Sequence, residues 1–136
     1  MGITVPSVSA DLGTRPNTVL GGVISGALGE VQVNDARSAI AGSGWVASAI
    51  STAFTPPTGT AIAASAVGYT AGTITKVGTA TYTANNPAAL TGVIAVVTAT
   101  GITGDNSATW NPMINVAVPG SLAAGVYSAT ITHSVV

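Results

Sequence analysis

Few side chains in this chain of 136 residues are able to do chemistry. His133 is the only histidine, and the acidic side chains are limited to Asp11, Glu30, Asp35 and Asp105. A hydrolytic triad requires a nucleophile, a base and an orienting acid, and a glycosidase requires two carboxylates that flank one bond. His133 has no Gly-x-Ser-x-Gly motif to serve, and the carboxylates are isolated in sequence. The sequence therefore predicts no catalytic residue and a protein that is not an enzyme.

Candidate ligands for a metal ion or a phosphate group are equally sparse. Asn34-Asp35 and Asp105-Asn106 offer oxygen atoms for Ca²⁺, but neither pair follows the Asp-x-Asp-x-Asp spacing of a calcium loop. Both pairs are more typical of turns, where such side chains bind their own backbone. Gly21-Gly22 and Gly42-Ser43-Gly44 lack the lysine and the helix of a phosphate-binding loop, and the absence of cysteine excludes disulfides. We therefore expect no metal and no cofactor.

Trp45 and Trp110 stand out because aromatic residues make up only 4% of the chain. Each ring could fill a sandwich core that is otherwise built from small side chains such as alanine and valine. Each could instead present its ring as a stacking platform for a sugar or a protein partner. The sequence favours the core and leaves the platform open as an alternative.

Charge is the most unusual property of the sequence. Charged residues account for 5% of the chain and give a net charge of −1, whereas a typical soluble domain has about 25%. Three cations cannot neutralise several phosphates, so we expect no nucleic-acid partner and no basic membrane-binding patch. Two explanations of the missing charge stay open: a hydroxyl-rich extracellular surface that carries sugars, or a surface that neighbouring subunits cover.

Apolar and polar residues alternate along most of the chain, and glycine or proline interrupts them at intervals typical of short strands. This pattern predicts one all-β domain over residues 1–136, an immunoglobulin-like antiparallel β-sandwich of about 7–10 short strands. Polar turns are predicted at Asn34–Arg37, Gly42–Gly44 and Gly104–Ser107. The clearest alternation lies in the closing strand, Val126–Val136. The longest apolar run is too short to span a membrane.

Residues 1–18 are predicted to form an N-terminal strand and a loose linker. The strand extends from Ile3 to Val8, and Pro6 restricts it to a sheet edge because proline has no N–H to donate. Ile3, Val5 and Val8 would then be available for self-association, with the segment exchanged into the sheet of a neighbouring subunit.

The segment Pro119–Tyr127 contains a leucine, a glycine and a tyrosine that begins a strand. This order is typical of the tyrosine corner of immunoglobulin-like sandwiches. We expect the Tyr127 hydroxyl to hydrogen-bond the backbone near Leu122, as a structural device rather than a ligand site.

Parts of the sequence resemble WxL-type cell-surface domains. Ser107–Pro119 and Ala124–Val135 are similar to the C-terminal half of such domains. Val31–Arg37, followed by Gly44-Trp45, is similar to the middle of their actinobacterial relatives, so the resemblance covers most of the chain from about Leu28 onward. It implies a secreted protein at the Gram-positive cell surface.

The two motifs that name this family are altered here. The first reads Trp45-Val46-Ala47 and the second reads His133-Ser134-Val135. Family members attach non-covalently to the cell wall, and the altered motifs weaken that implication for this chain. No basic, apolar leader precedes Ile3, so the leader of an exported chain was removed or lies outside this sequence.

These observations favour a non-enzymatic extracellular structural protein that associates with itself, as the subunit of a filament, a pilus or a surface layer. One alternative is a surface module that binds cell-wall polysaccharide through Trp45 or Trp110. Another is a virion or phage decoration or capsid protein, since small sandwiches with few charges also serve in that role.

The proposed tyrosine corner leads to a first prediction. Tyr127→Phe should lower the free energy of unfolding by about 1 kcal/mol, the usual contribution of one hydrogen bond. Urea denaturation of both proteins measures the difference, and an unchanged midpoint would contradict the assignment of Tyr127 to a tyrosine corner.

Overall fold

The computed structural model describes all 136 residues and consists of eight β-strands and one 3₁₀ turn, Ala64–Ala66. The strands are β1 (Gly2–Thr4), β2 (Gly22–Ala27), β3 (Val31–Ser51), β4 (Val67–Thr70), β5 (Thr75–Ala84), β6 (Ile94–Trp110), β7 (Met113–Val118) and β8 (Ile131–Val135).

All of these strands pair antiparallel, in two sheets. The first sheet has the order β1-β3-β6-β5, and β8 pairs with the second half of β3 on the side that β1 occupies along the first half. The second sheet has the order β2-β7-β4. The predicted all-β sandwich is therefore confirmed, while its immunoglobulin-like topology stays a prediction.

The two sheets are joined by one antiparallel ribbon that runs through both of them. β2 pairs with β7 up to Ala27↔Met113, and β3 pairs with β6 from Val31↔Trp110. The two strands of the ribbon thus cross side by side from one sheet to the other. Leu28 N–H donates to the Pro112 carbonyl at this corner, 2.8 Å away. The sequence predicted the break at Pro112 because proline cannot extend a ladder.

Two strands are far longer than the short strands predicted from the sequence, since β3 has 21 residues and β6 has 17. The turns predicted at Asn34–Arg37, Gly42–Gly44 and Gly104–Ser107 are wrong, because all three segments lie within these strands. The polar residues and glycines instead form bulges, where the pairing register shifts between Asp35 and Trp45. Bulges insert residues into one strand, bend it and increase its twist without ending it.

The core lies between the two sheets and contains 18 buried hydrophobic residues. Valine, alanine and isoleucine dominate it, and its largest side chains are Trp45, Trp110 and Tyr69, each at most 2% exposed. β6 is central, as its β-branched start predicted, since β3 and β5 pair with its two edges.

The first strand is shorter than predicted. β1 ends at Thr4 instead of Val8, and Pro6, which has no N–H to donate to a ladder, packs against Gly29. Ile3 pairs with Val33 of the same chain and contacts the core, whereas Val5 and Val8 are exposed.

The last strand is also shorter, because β8 begins at Ile131 and only Ser128 precedes it as an isolated bridge to Thr55. The predicted alternation nevertheless persists from residue 127 to residue 135. The partly buried side chains are Tyr127, Ala129, Ile131, His133 and Val135.

Two glycines with the same backbone conformation allow the bulges to be tested. Gly78 and Gly42 both have φ of +89°, but a Cβ at Gly78 would lie 2.5 Å from the Asp105 carbonyl oxygen, whereas one at Gly42 would meet nothing within 4 Å. Gly42→Ala should therefore lower the free energy of unfolding by only about 1 kcal/mol, the cost of holding alanine in a left-handed backbone conformation. Gly78→Ala should cost at least about 1 kcal/mol more, because backbone atoms must move. Equal urea midpoints for the two variants would contradict the close approach of β5 to β6.

Candidate functional site

A buried polar cluster occupies the bulged part of the ribbon. Asp35 is fully buried, and both of its carboxylate oxygens accept hydrogen bonds from Arg37, at 2.7 Å from Nε and 2.8 Å from a terminal nitrogen. Asn106 lies opposite Asp35 and donates to it at 3.3 Å. The Asn106 side-chain oxygen accepts from the Trp45 indole at 3.0 Å and from the Tyr82 hydroxyl at 3.3 Å. These five side chains form one hydrogen-bonded network.

The Asp35 carboxylate therefore has a structural role. Hydrogen bonding to the Arg37 side chain lowers the pKa of Asp35 to about 2, although burial opposes this shift. Asp35 stays ionised at ordinary pH, and its oxygens are not available to a cation. Asp105, the other predicted turn residue, accepts a hydrogen bond from the Ser38 backbone at 2.8 Å. No group of three or more potential metal ligands occurs in the chain.

A second polar chain links the core to β8. The Trp110 indole donates to the Tyr69 hydroxyl at 2.8 Å, and this hydroxyl lies 3.1 Å from His133 Nε2. Because the Tyr69 oxygen accepts from Trp110, its O–H is free to donate to a neutral His133. Burial lowers the pKa of His133 to about 4 and raises the pKa of Tyr69 well above its usual range. Both groups are held uncharged, and no carboxylate is bonded to the imidazole.

The two tryptophans lie in the core. Trp45 and Trp110 are each 2% exposed, and each indole N–H has a partner inside the protein. Neither ring can stack on a sugar or a partner, so the alternative of an exposed platform is wrong. The few large side chains were needed to fill a core of alanine and valine.

The largest cavity is an open cleft of about 910 Å³. On one side it is bounded by residues 5–18, which we call the strap, and on the other by the loop from Pro119 to Thr130. Its apolar floor comes from both sheets. The floor residues include Ile24, Phe54, Ile62, Val116, Ile131 and His133.

The strap follows β2 antiparallel without pairing to it. Pro6 lies against Gly29, Leu12 against Gly26 and Arg15 against Gly22. Residues 5–17 make no backbone–backbone hydrogen bond. The Arg15 guanidinium instead donates to the carbonyl of Gly21 at 2.9 Å and to that of Val23 at 3.3 Å. A side chain thus occupies the free edge of β2 where a neighbouring strand would bond.

The loop across the cleft contains Tyr127, for which a tyrosine corner was predicted. The Tyr127 hydroxyl donates to the Ala123 carbonyl at 2.8 Å, one residue beyond the expected position at Leu122. Leu122 itself packs against the core, and its carbonyl accepts from Asn17 of the strap at 3.5 Å. Both residues are structural parts of the cleft wall.

The outer surface is poor in free charge. Arg37 is paired with Asp35, Arg15 binds backbone carbonyls and the Lys76 ammonium lies 5.9 Å from the centre of the Tyr82 ring. The outer face of β5 and β6, which we call the threonine face, carries directly opposed threonine pairs. These pairs are Thr75↔Thr109, Thr79↔Thr103, Thr81↔Thr100 and Thr83↔Thr98.

The fold and the site define a class, an antiparallel β-sandwich with internally satisfied polar clusters and one apolar cleft. No protein-family model, characterised protein or solved structure matches the chain. None of its helical segments is long and apolar enough to cross a membrane. The sequence did not indicate the polar cluster, because Asn106 meets Asp35 and Trp45 from a distant part of the chain. It did not indicate the role of Arg15 either, because the partners of Arg15 are backbone carbonyls, which have no sequence signature.

The buried ion pair yields a comparison of two aspartates. Asp35→Asn replaces an acceptor with a donor that faces Arg37 or Asn106, so we expect a loss of about 2 kcal/mol in the free energy of unfolding. Asp105→Asn keeps an acceptor for the Ser38 N–H and should cost well under about 1 kcal/mol. Urea unfolding measures both, and similar losses would show that Asp35 does not organise the bulge.

His133 makes stability depend on pH. Its pKa is about 4 in the folded chain and about 6.5 when unfolded, so the unfolded state binds the extra proton between these values. Stability is complete above about pH 6.5 and should fall by about 2–3 kcal/mol as the pH drops toward 4. Thermal unfolding from pH 7 to 4 measures this loss. His133→Gln should flatten the profile, and an unchanged slope in that variant would assign the effect elsewhere.

Proposed function

We propose that this protein is a non-enzymatic structural subunit that associates with itself at the cell surface, in a filament, a pilus or a surface layer. The proposal rests on one observation, which is that the cationic side chains interact with groups of the same chain. All three cations are engaged within the chain, so the sheet faces offer hydroxyl and methyl groups with little repulsion between copies.

The chemistry of the interior supports the same conclusion. The only histidine is held neutral against Tyr69, and the only buried carboxylate is bound by Arg37 on both oxygens. Every buried polar side-chain atom has a hydrogen-bond partner within the chain. Polar groups paired in this way stabilise a fold. The surface location rests on the resemblance to WxL-type domains.

The polysaccharide-binding alternative loses its main support. It relied on Trp45 or Trp110, and both rings are buried in the core. No observation favours the virion alternative over a surface assembly, so self-association is the function that the geometry supports best.

Sedimentation velocity and negative-stain microscopy over a wide concentration range test the proposal. We expect oligomers or fibres that grow with concentration and persist at high salt, because contacts between uncharged faces are not screened. Monomers at every concentration would overturn it.

A matched pair of variants separates a face contact from a change in net charge. Thr79→Glu with Thr81→Glu places two charges on the threonine face, whereas Thr58→Glu with Thr60→Glu places them on an exposed loop. The first variant should associate more weakly than the second, which has the same net charge.

A further inference from the structure

We infer that copies of this chain associate by exchanging residues 1–18, so that β1 and the strap of one copy occupy the corresponding sites on another. This inference rests on the proposed self-association and names the contact that carries it. The partner is a second copy, because the receiving surface is already fitted by this same segment within one chain.

Few backbone bonds hold residues 1–18 in place. β1 contributes three residue pairs with β3, from Gly2↔Asn34 to Thr4↔Gln32. The strap contributes one backbone bond to the rest of the fold, from the Ser121 N–H to the Thr18 carbonyl at 2.8 Å. Its other attachments are apolar contacts, the Arg15 bonds and the bond from Asn17 to Leu122. The contacts made outside the Thr18–Gly21 turn, among them the pairing of β1 with β3 and the Arg15 bond to Val23, can be made with another copy, so exchange conserves them.

The turn that follows the strap has the properties of a hinge. Thr18–Gly21 is closed by a bond from the Gly21 N–H to the Thr18 carbonyl, 3.3 Å long. Gly21 has φ of +69°, and a Cβ there would collide with the Val118 carbonyl. Val19 and Leu20, at its tip, are 82% and 95% exposed.

Opening this turn changes the environment of its tip. If residues 18–21 became extended, they would carry residues 1–18 away from their own β2 and towards a second copy. The two hinges of an exchanged pair would run past each other and bring their exposed Val19 and Leu20 side chains together. Exchange therefore adds an apolar contact that the closed form does not have.

The receiving site has two parts. One is the edge of β3 at residues 32–34, where β1 pairs. The other is the free edge of β2 above the apolar cleft, where Arg15 binds the carbonyls of Gly21 and Val23. A vacated site would expose both an unpaired strand edge and the cleft floor, which favours prompt refilling by a neighbour.

Disulfide locking tests the exchange. Because the chain has no native cysteine, only the introduced thiols can form a disulfide. Thr4→Cys with Gln32→Cys places two thiols on opposed, exposed positions of β1 and β3. Oxidised as a monomer, this variant cannot release β1. Ser48→Cys with Ser134→Cys is the matched control, because it ties the other edge strand, β8, to β3 without touching the hinge.

The expected result is that the oxidised Thr4/Gln32 variant stays monomeric and assembles after reduction, while the Ser48/Ser134 control assembles in both states. Assembly of the oxidised Thr4/Gln32 variant to the wild-type extent would overturn the exchange and leave the proposed self-association intact. Wild-type chains that remain monomeric would overturn both. Assembly blocked by the control lock alone would overturn the inference in favour of β8.

Two further measurements do not depend on the double variant folding. Thr4→Cys and Gln32→Cys, made in separate chains, mixed under assembling conditions and oxidised, should give disulfides that join position 4 of one copy to position 32 of another, detectable by mass spectrometry. Absence of that mixed link in assembled material overturns the exchange. A short Gly/Ser insertion between Val19 and Leu20 should favour monomers, because a longer turn closes more easily within one chain; assembly of that variant to the wild-type extent would contradict the exchange.

Discussion

The structure depends on one long antiparallel ribbon that must fold over on itself. Strands of 21 and 17 residues are too long to remain straight in a domain of this size, and a straight ribbon would leave one apolar face in water. The corner at Leu28 and Pro112 places part of the ribbon in the second sheet. The bulges between Asp35 and Trp45 bend the remainder. Two sheets, one core and one cleft follow from these two bends.

The polar cluster explains how a bulged ribbon keeps a single conformation. Bulges leave backbone groups unpaired, and a glycine-rich segment could slip in register. Asn106 opposes slippage, because its bonds to Asp35 and Trp45 form only in one alignment of β3 with β6. The Trp45 indole joins the network although its own cross-strand partner is Ala99, well before Asn106 in β6. The network thus fastens the two halves of the bent ribbon together.

The sequence predicted those features that depend on local pattern. The alternation around Ile131, the central place of β6 and the break at Pro112 are all local, and all are present. The turn signals at Asp35 and Asn106 misled, because two polar segments that oppose each other across a bulge look in sequence like two separate turns. The pairing of His133 with Tyr69, which are 64 residues apart, has no sequence signature. The part of the strap that follows Val8 was predicted only as a linker, since the bonds from Arg15 to backbone carbonyls have no sequence signature.

The ribbon also sets the order in which the protein can fold. β5 and β6 meet across a short connection, with Ala84 opposite Val97, whereas β3 must find β6 across most of the chain, with Val31 opposite Trp110. Closing such a long loop is slow. Residues 1–18 can dock only after β2 and β3 are in place, so every folding molecule passes through a stage with its receiving edge open. The protein concentration at that moment therefore decides kinetically which copy fills the edge.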